Sequence, residues 1–123
     1  MRRSDQRRAA VFALYQEEVT GRPTTDTLED AAPFTRELVT GVEEHRDELD
    51  GEIAALAKGW KLDRIAALEK SILRVALYEI HHRDDIPDEV AIDEAVSLAK
   101  RYCGADAPGF VNGILGTAGR AKA

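Results

Sequence analysis

Cysteine is nearly absent from this sequence. Cys103 is the only one, so no disulfide can form within the chain, and nothing requires an oxidising compartment. No segment approaches the roughly 20 consecutive apolar residues that span a bilayer. The apolar run from Ala9 to Tyr15 lacks the length and the small-residue cleavage site of a signal peptide. These absences predict a cytosolic protein without a membrane-spanning segment.

Motifs for catalysis and for cofactor binding are also missing. We find no Ser/His/Asp or Cys/His arrangement and no pair of carboxylates placed for acid–base chemistry. The glycines Gly109, Gly113 and Gly116 do not have the spacing of a phosphate-binding loop. The segment from His81 to Asp85 is rich in histidine and aspartate but lacks the ligand spacings of known metal sites. The sequence therefore predicts a protein that is not an enzyme, with no cofactor and no metal.

Strand-like alternation is absent, whereas apolar residues recur at three- and four-residue steps along most of the chain. The densest pattern follows Asp63, which is predicted to cap a central helix that reaches Ile80. Other helices are expected from a cap at Ser4 to about Thr20, along an apolar stripe from Pro33 to Trp60 (one helix or a pair, interrupted at Gly41 or Gly51), from a start between Pro87 and Asp93 to Tyr102 or Cys103, and from a cap at Asp106 or Ala107 onward. The sequence predicts an all-α fold of six or seven helices.

The predicted domain comprises residues 1–118, with a basic arm at residues 1–8 and a disordered tail at residues 119–123. The arm contains four arginines and one aspartate, although the whole chain carries a net charge of −6. An acidic protein with a basic arm is a recognisable asymmetry in proteins that bind nucleic acid. The other interpretation is a frayed terminus whose arginines only add solubility.

Two acids, Glu69 and Glu79, interrupt the apolar face of the central helix. A carboxylate on an apolar surface is costly unless it is paired. Glu69 could form an internal salt bridge, with Arg36, Arg46 and Arg64 as the candidate partners. It could instead lie on a face that a basic partner covers. The residues alone favour the internal salt bridge.

The chain resembles the NusB family of bacterial transcription antitermination factors over nearly its whole length. The matching segments are residues 7–15, with Ala13-Leu14-Tyr15; residues 34–41; residues 69–79, Glu-Lys-Ser-Ile-Leu-Arg-Val-Ala-Leu-Tyr-Glu; Ile86-Pro87; residues 90–100, Val-Ala-Ile-Asp-Glu-Ala-Val-Ser-Leu-Ala-Lys; and residues 110–115, Phe-Val-Asn-Gly-Ile-Leu. The last three segments are highly specific in their order and spacing.

The resemblance implies a domain of two packed helical sub-bundles. It also implies binding to the boxA element of nascent ribosomal RNA together with NusE, a ribosomal protein. This pair would join other Nus factors on RNA polymerase and resist premature termination. The residues implied to contact RNA are Arg2, Arg3, Arg7, Arg8, Tyr102, Asp106 and Phe110, and those implied to contact NusE are Tyr15 and Glu69. With this resemblance, the partner-contact interpretation of Glu69 is favoured over the internal salt bridge.

Arginines supply salt-dependent contacts with phosphate, and exposed aromatic rings can stack on unpaired bases. Phe110 is compatible with either role, because it lies on the apolar side of its helix and could belong to the core. The competing hypothesis is a helical protein-interaction domain or homodimer whose arginine arm has no RNA specificity.

Overall fold

The computed structural model describes residues 2–23 and 28–122. Within these ranges the chain forms six α-helices and no strand, which confirms the all-α prediction. The helices are α1 (Arg3–Thr20), α2 (Pro33–Glu44), α3 (Arg46–Leu56), α4 (Ala67–His82), α5 (Asp88–Tyr102) and α6 (Ala107–Lys122), with a short 3-10 helix at Leu62–Arg64. No helix among the described residues is long and apolar enough to cross a membrane.

Helix α4 contacts each of the other five helices. Every residue from Ser71 to Ile80 is buried, which is typical of a helix surrounded by neighbours. The polar side chains of Arg74 and Tyr78 are among the buried ones. Arg74 is accommodated because its Nε donates a hydrogen bond of 2.7 Å to Asp50 of α3.

The helices form two groups that share α4. In one group α1 packs against α2 and α4, and in the other α5 and α6 pack against each other and against α4. The core is continuous across both groups. It is mainly aliphatic and includes side chains from every α-helix, among them Leu14, Leu38, Ile53, Leu77, Leu98 and Leu115. This arrangement agrees with the two predicted sub-bundles.

Several predicted helix boundaries are wrong. Ser4 lies inside α1 rather than capping it, and its hydroxyl donates a hydrogen bond of 2.6 Å to Glu94. Asp63 belongs to the 3-10 helix, and α4 begins only after Ala66, whose backbone is extended. The long stripe after Pro33 is a helix pair, but the break falls at His45 and not at a glycine.

Gly41 has a packing role inside α2. A Cβ atom at this position would collide with the ring of Tyr78, so only glycine allows α2 and α4 to approach this closely. Gly41 does not interrupt α2, which runs from Pro33 to Glu44.

The predicted tail is ordered in the structure up to Lys122. Its ammonium group lies 2.9 Å from Asp88 and donates a hydrogen bond of 2.8 Å to the carbonyl of Ile80. These contacts attach the end of α6 to α4 and α5, so the expectation of disorder is wrong for residues 119–122. Met1 and Ala123, also included in the predicted arm and tail, lie outside the described residues.

Candidate nucleic-acid and partner interface

Arg7 is buried and forms an ion pair inside the protein. Its Nη2 lies 2.7 Å from a carboxylate oxygen of Glu79, and its Nη1 lies 3.5 Å from Glu94. The side chains of Arg7 and Glu79 are 4% and 1% exposed. Arg7 is therefore not available to RNA, which contradicts its predicted role as an RNA contact. Burial raises the pKa of the Glu79 carboxyl, and the Arg7 guanidinium opposes that shift.

A signal for this burial was present in the sequence. Arg7 precedes the buried residues Ala10, Val11 and Leu14 of α1 by three, four and seven positions. That spacing places all four side chains on one helix face. Arg7 on the apolar face of α1 and Glu79 on α4 carry opposite charges and can pair. They are 72 residues apart in the sequence, so no local pattern predicts this pair.

Two other predicted arginines, Arg2 and Arg8, remain accessible near the start of α1. They line a groove of about 440 Å³ between α1 and α5, together with Arg101 from the last turn of α5. Asp5, Asp93 and Glu94 also line the groove and offset this positive charge. Asp5 lies 3.5 Å from Arg2 and 3.2 Å from Arg8. Arg101 was not among the predicted RNA contacts. A positive charge in the last turn of a helix is favourable for the helix itself, so this arginine did not call for a functional role.

Arg3 lies on another side of α1, where it is half-exposed. Its guanidinium is 4.8 Å from the centre of the Phe34 ring and 4.0 Å from Asp85. The guanidinium of Arg83 approaches the same ring at 5.4 Å. The predicted arginine surface is thus divided: Arg2 and Arg8 line the groove, whereas Arg3 lies over α2.

A row of aromatic side chains from α1 and α5 begins beside Arg101 of this groove. Tyr102 is 38% exposed, and the Arg101 guanidinium lies 5.3 Å from its ring centre. Phe12 meets Tyr102 edge-on at 5.0 Å, and the Tyr15 ring lies 6.4 Å from Phe12. Phe12 therefore connects Tyr102, a predicted RNA contact, to Tyr15, a predicted partner contact.

The remaining predicted contacts, Asp106, Phe110 and Glu69, line a second groove of about 390 Å³. Phe110 is half-buried: it packs against the core and also lines this groove. Its ring centre lies 6.2 Å from that of Trp60. Trp60 is the last residue of the apolar stripe that follows Pro33, but it is 57% exposed. The groove therefore presents an indole and a phenyl ring beside two carboxylates.

Glu69 forms no hydrogen bond or ion pair with the described residues. Of the arginines considered for an internal salt bridge, Arg46 pairs with Glu17 at 3.3 Å and Arg36 donates to backbone carbonyls. The third, Arg64, lines the second groove without reaching the Glu69 carboxylate. The internal salt bridge is therefore absent, and burial raises the pKa of Glu69. A half-buried carboxylate beside an open groove favours a contact with a partner.

The sequence pattern of the NusB family matches residues 4–120. The chain belongs to the NusB family. Relatives named transcription antitermination protein NusB include that of Symbiobacterium thermophilum, which is 43% identical over 95% of this chain and 88% of its own length. The NusB of Rubrobacter xylanophilus is 40% identical over 94% of this chain and 88% of its own length.

Solved NusB structures share the fold. T. maritima NusB superimposes with a TM-score of 0.90 at 32% identity, covering 98% of this chain and 92% of that one. A structure of the antitermination factors NusB and NusE in complex with dsRNA gives a TM-score of 0.83 at 25% identity, covering 98% and 99%. The arrangement of the two sub-bundles around α4 is thus that of NusB proteins.

Proposed function

We propose that this NusB-family chain is a transcription antitermination factor. It binds boxA-type RNA of nascent ribosomal transcripts together with NusE, and the pair acts with other Nus factors on RNA polymerase. Relatives that are 40–43% identical carry the antitermination name, and a related solved structure holds NusB with both NusE and RNA. The protein acts by binding and not by catalysis.

The observation that carries the RNA part of this proposal is the groove lined by Arg2, Arg8 and Arg101, with Tyr102 at its end. Three guanidinium groups can contact phosphates, and the exposed ring offers a surface for an unpaired base. Three acids, Asp5, Asp93 and Glu94, line this groove as well. Direct contacts between guanidinium groups and phosphates, rather than a net positive field, would therefore hold the RNA there. Arg3, half-exposed beside Phe34, extends the basic surface around the start of α1.

The partner part of the proposal rests on the second groove. Glu69 supplies a carboxylate without an internal partner, and Trp60 supplies a large exposed apolar surface. A ribosomal protein with a basic contact surface would satisfy both. Tyr15 lies at the far end of the aromatic row that begins at Tyr102, so RNA and NusE would occupy adjoining surfaces.

Asp106 and Phe110, implied as RNA contacts, share the second groove with Glu69. RNA that extends from Tyr102 toward Phe110 would therefore run along the edge of bound NusE. This arrangement supports mutual stabilisation of the two ligands.

The proposal is tested by fluorescence anisotropy with labelled RNA in the presence of NusE. We expect a boxA-type single strand to bind more tightly than a scrambled strand of the same length and composition. Equal affinity for the two strands would favour the alternative, a helical interaction domain without RNA specificity. A double-stranded competitor would show whether the groove prefers unpaired bases.

A further inference from the structure

A cluster of two histidines and a glutamate lies outside both grooves. His45 is at the junction of α2 and α3, Glu48 is in the first turn of α3, and His82 is the last residue of α4. One carboxylate oxygen of Glu48 lies 3.1 Å from Nδ1 of His45 and 3.1 Å from Nε2 of His82. The two imidazole rings stack with centres 3.9 Å apart and an interplanar angle of 18°.

We propose that His45, Glu48 and His82 form a binding site for a divalent transition-metal ion of the zinc type. Two imidazole nitrogens and one carboxylate oxygen are a donor set that zinc uses in proteins when a fourth position remains open to water. The three donor atoms lie within 4.8 Å of one another. Donors about 2 Å from a tetrahedral ion are separated by about 3.3 Å, which is close to the 3.1 Å between each imidazole nitrogen and the Glu48 oxygen. Each imidazole binds an ion in its own ring plane, so the two stacked rings would turn apart as the ion enters.

The fold positions the ligands before an ion arrives. His45 and Glu48 are separated by one helical turn, so they project from the same side of α3. Tyr78 stacks on His82, with ring centres 5.4 Å apart, and this contact keeps the histidine beside the other two ligands. Tyr78 in turn fits against α2 only because residue 41 is glycine.

The site is open to solvent, because all three ligand side chains are partly exposed. Imidazole ligands favour zinc and its neighbours over magnesium and calcium, which prefer sites built from oxygen atoms alone. A bound ion would connect the α2–α3 junction to the end of α4. Because the ligands converge only in the folded chain, the ion would stabilise the fold.

The test uses the full chain without a polyhistidine tag. Titration calorimetry with ZnCl2 is expected to give one ion bound per chain, and CoCl2 should produce visible absorption bands of a bound ion. The thermal midpoint should rise with ZnCl2 but not with MgCl2. His45→Gln and His82→Gln should each weaken Zn²⁺ affinity by at least about tenfold. Loss of a residue that only supports a metal ligand already lowers affinity by about tenfold to a hundredfold, and loss of a ligand should cost no less.

The matched control is His81→Gln. His81 is adjacent to His82 in sequence, but it pairs with Glu52 at 2.8 Å and does not belong to the cluster. We expect this variant to bind Zn²⁺ like the wild type. The proposal is overturned if the wild type takes up no Zn²⁺, or if the three histidine variants lose affinity equally. Unchanged affinity in both His45→Gln and His82→Gln would also overturn it, and circular dichroism checks that each variant is folded.

Discussion

Arg7 of α1 and Glu79 of α4 form an ion pair from which water is almost excluded, with Nη2 of the arginine 2.7 Å from Oε1 of the glutamate. Glu79 also accepts hydrogen bonds of 2.8 and 3.0 Å from Nε of Arg7. This pair attaches α1, whose first turns carry the exposed arginines, to the central helix. Arg7 therefore supports the basic surface without belonging to it.

Replacing Arg7 should destabilise the fold. Arg7→Ala leaves the Glu79 carboxylate buried without its partner, and we expect a loss of about 3–5 kcal/mol in the free energy of unfolding. Urea denaturation measures this loss. Arg8→Ala removes a partly exposed arginine from the same turn and should cost less than about 1 kcal/mol. Equal small losses in both variants would show that the Arg7 pair is not buried in solution.

The Arg7–Glu79 pair shows which features could be predicted from the sequence and which could not. The helical spacing of apolar residues predicted the all-α fold class, because it shows which helix faces are covered. The two sub-bundles were implied by the resemblance alone. Whether an arginine is exposed was not predictable from charge alone. Arg7 and Arg8 are neighbours in the sequence, yet a rotation of about 100° between them buries one and leaves the other partly exposed.

Residues of the candidate site were predicted unevenly for a related reason. Tyr102, Asp106 and Phe110 were implied by the resemblance, and the structure places all three beside one of the two grooves. Trp60 and Arg101 were missed. Trp60 fitted the apolar stripe, and Arg101 fitted the preference for positive charge at the end of a helix. Neither residue therefore needed a functional explanation from the sequence.

The exposed arginines should carry salt-dependent RNA affinity. Arg2→Ala with Arg8→Ala should weaken binding to a boxA-type strand and reduce the slope of log affinity against log salt by about one per lost phosphate contact. Anisotropy titrations at several salt concentrations give the slope. Arg22→Ala is the control, because Arg22 is exposed just beyond the opposite end of α1. An unchanged slope in the double variant would mean that RNA binds elsewhere.

Glu69 should affect partner binding more than it affects the fold. Glu69→Gln keeps the shape of the side chain but removes its charge, so we expect weaker binding to NusE and a thermal midpoint within a few degrees of the wild type. Calorimetry and thermal unfolding measure the two effects. Asp47→Asn removes an exposed acid from α3 and should alter neither. Unaltered NusE affinity in Glu69→Gln would remove this residue from the interface.

The pH dependence of stability offers a separate test of Glu69. Burial raises the pKa of its carboxyl above the ordinary value of 4.5. A group whose pKa is higher in the folded chain stabilises the fold below its unfolded pKa, and this contribution is lost as pH rises through the folded value. We therefore expect the stability of Glu69→Gln relative to the wild type to increase from about pH 4 to pH 7. A decrease over that range, measured by urea denaturation, would contradict the burial of this group.

Asp106 should limit the affinity for RNA. As an exposed acid at the edge of the second groove it repels phosphates, so Asp106→Asn should tighten RNA binding by about twofold to fivefold at low salt. The gain should shrink as salt increases, because the repulsion is screened. Weaker binding by the variant at low salt would instead mean that Asp106 accepts a hydrogen bond from RNA.

The affinity of a boxA-type single strand, measured without NusE and then with saturating NusE, tests the proposed function most directly. Because the two proposed surfaces adjoin at Tyr102 and Phe110, NusE should tighten boxA binding by at least about fivefold, the lower end of ordinary coupling between sites. A scrambled strand should gain less. If NusE leaves both affinities unchanged and the two strands bind equally, this chain is not an RNA-binding partner of NusE.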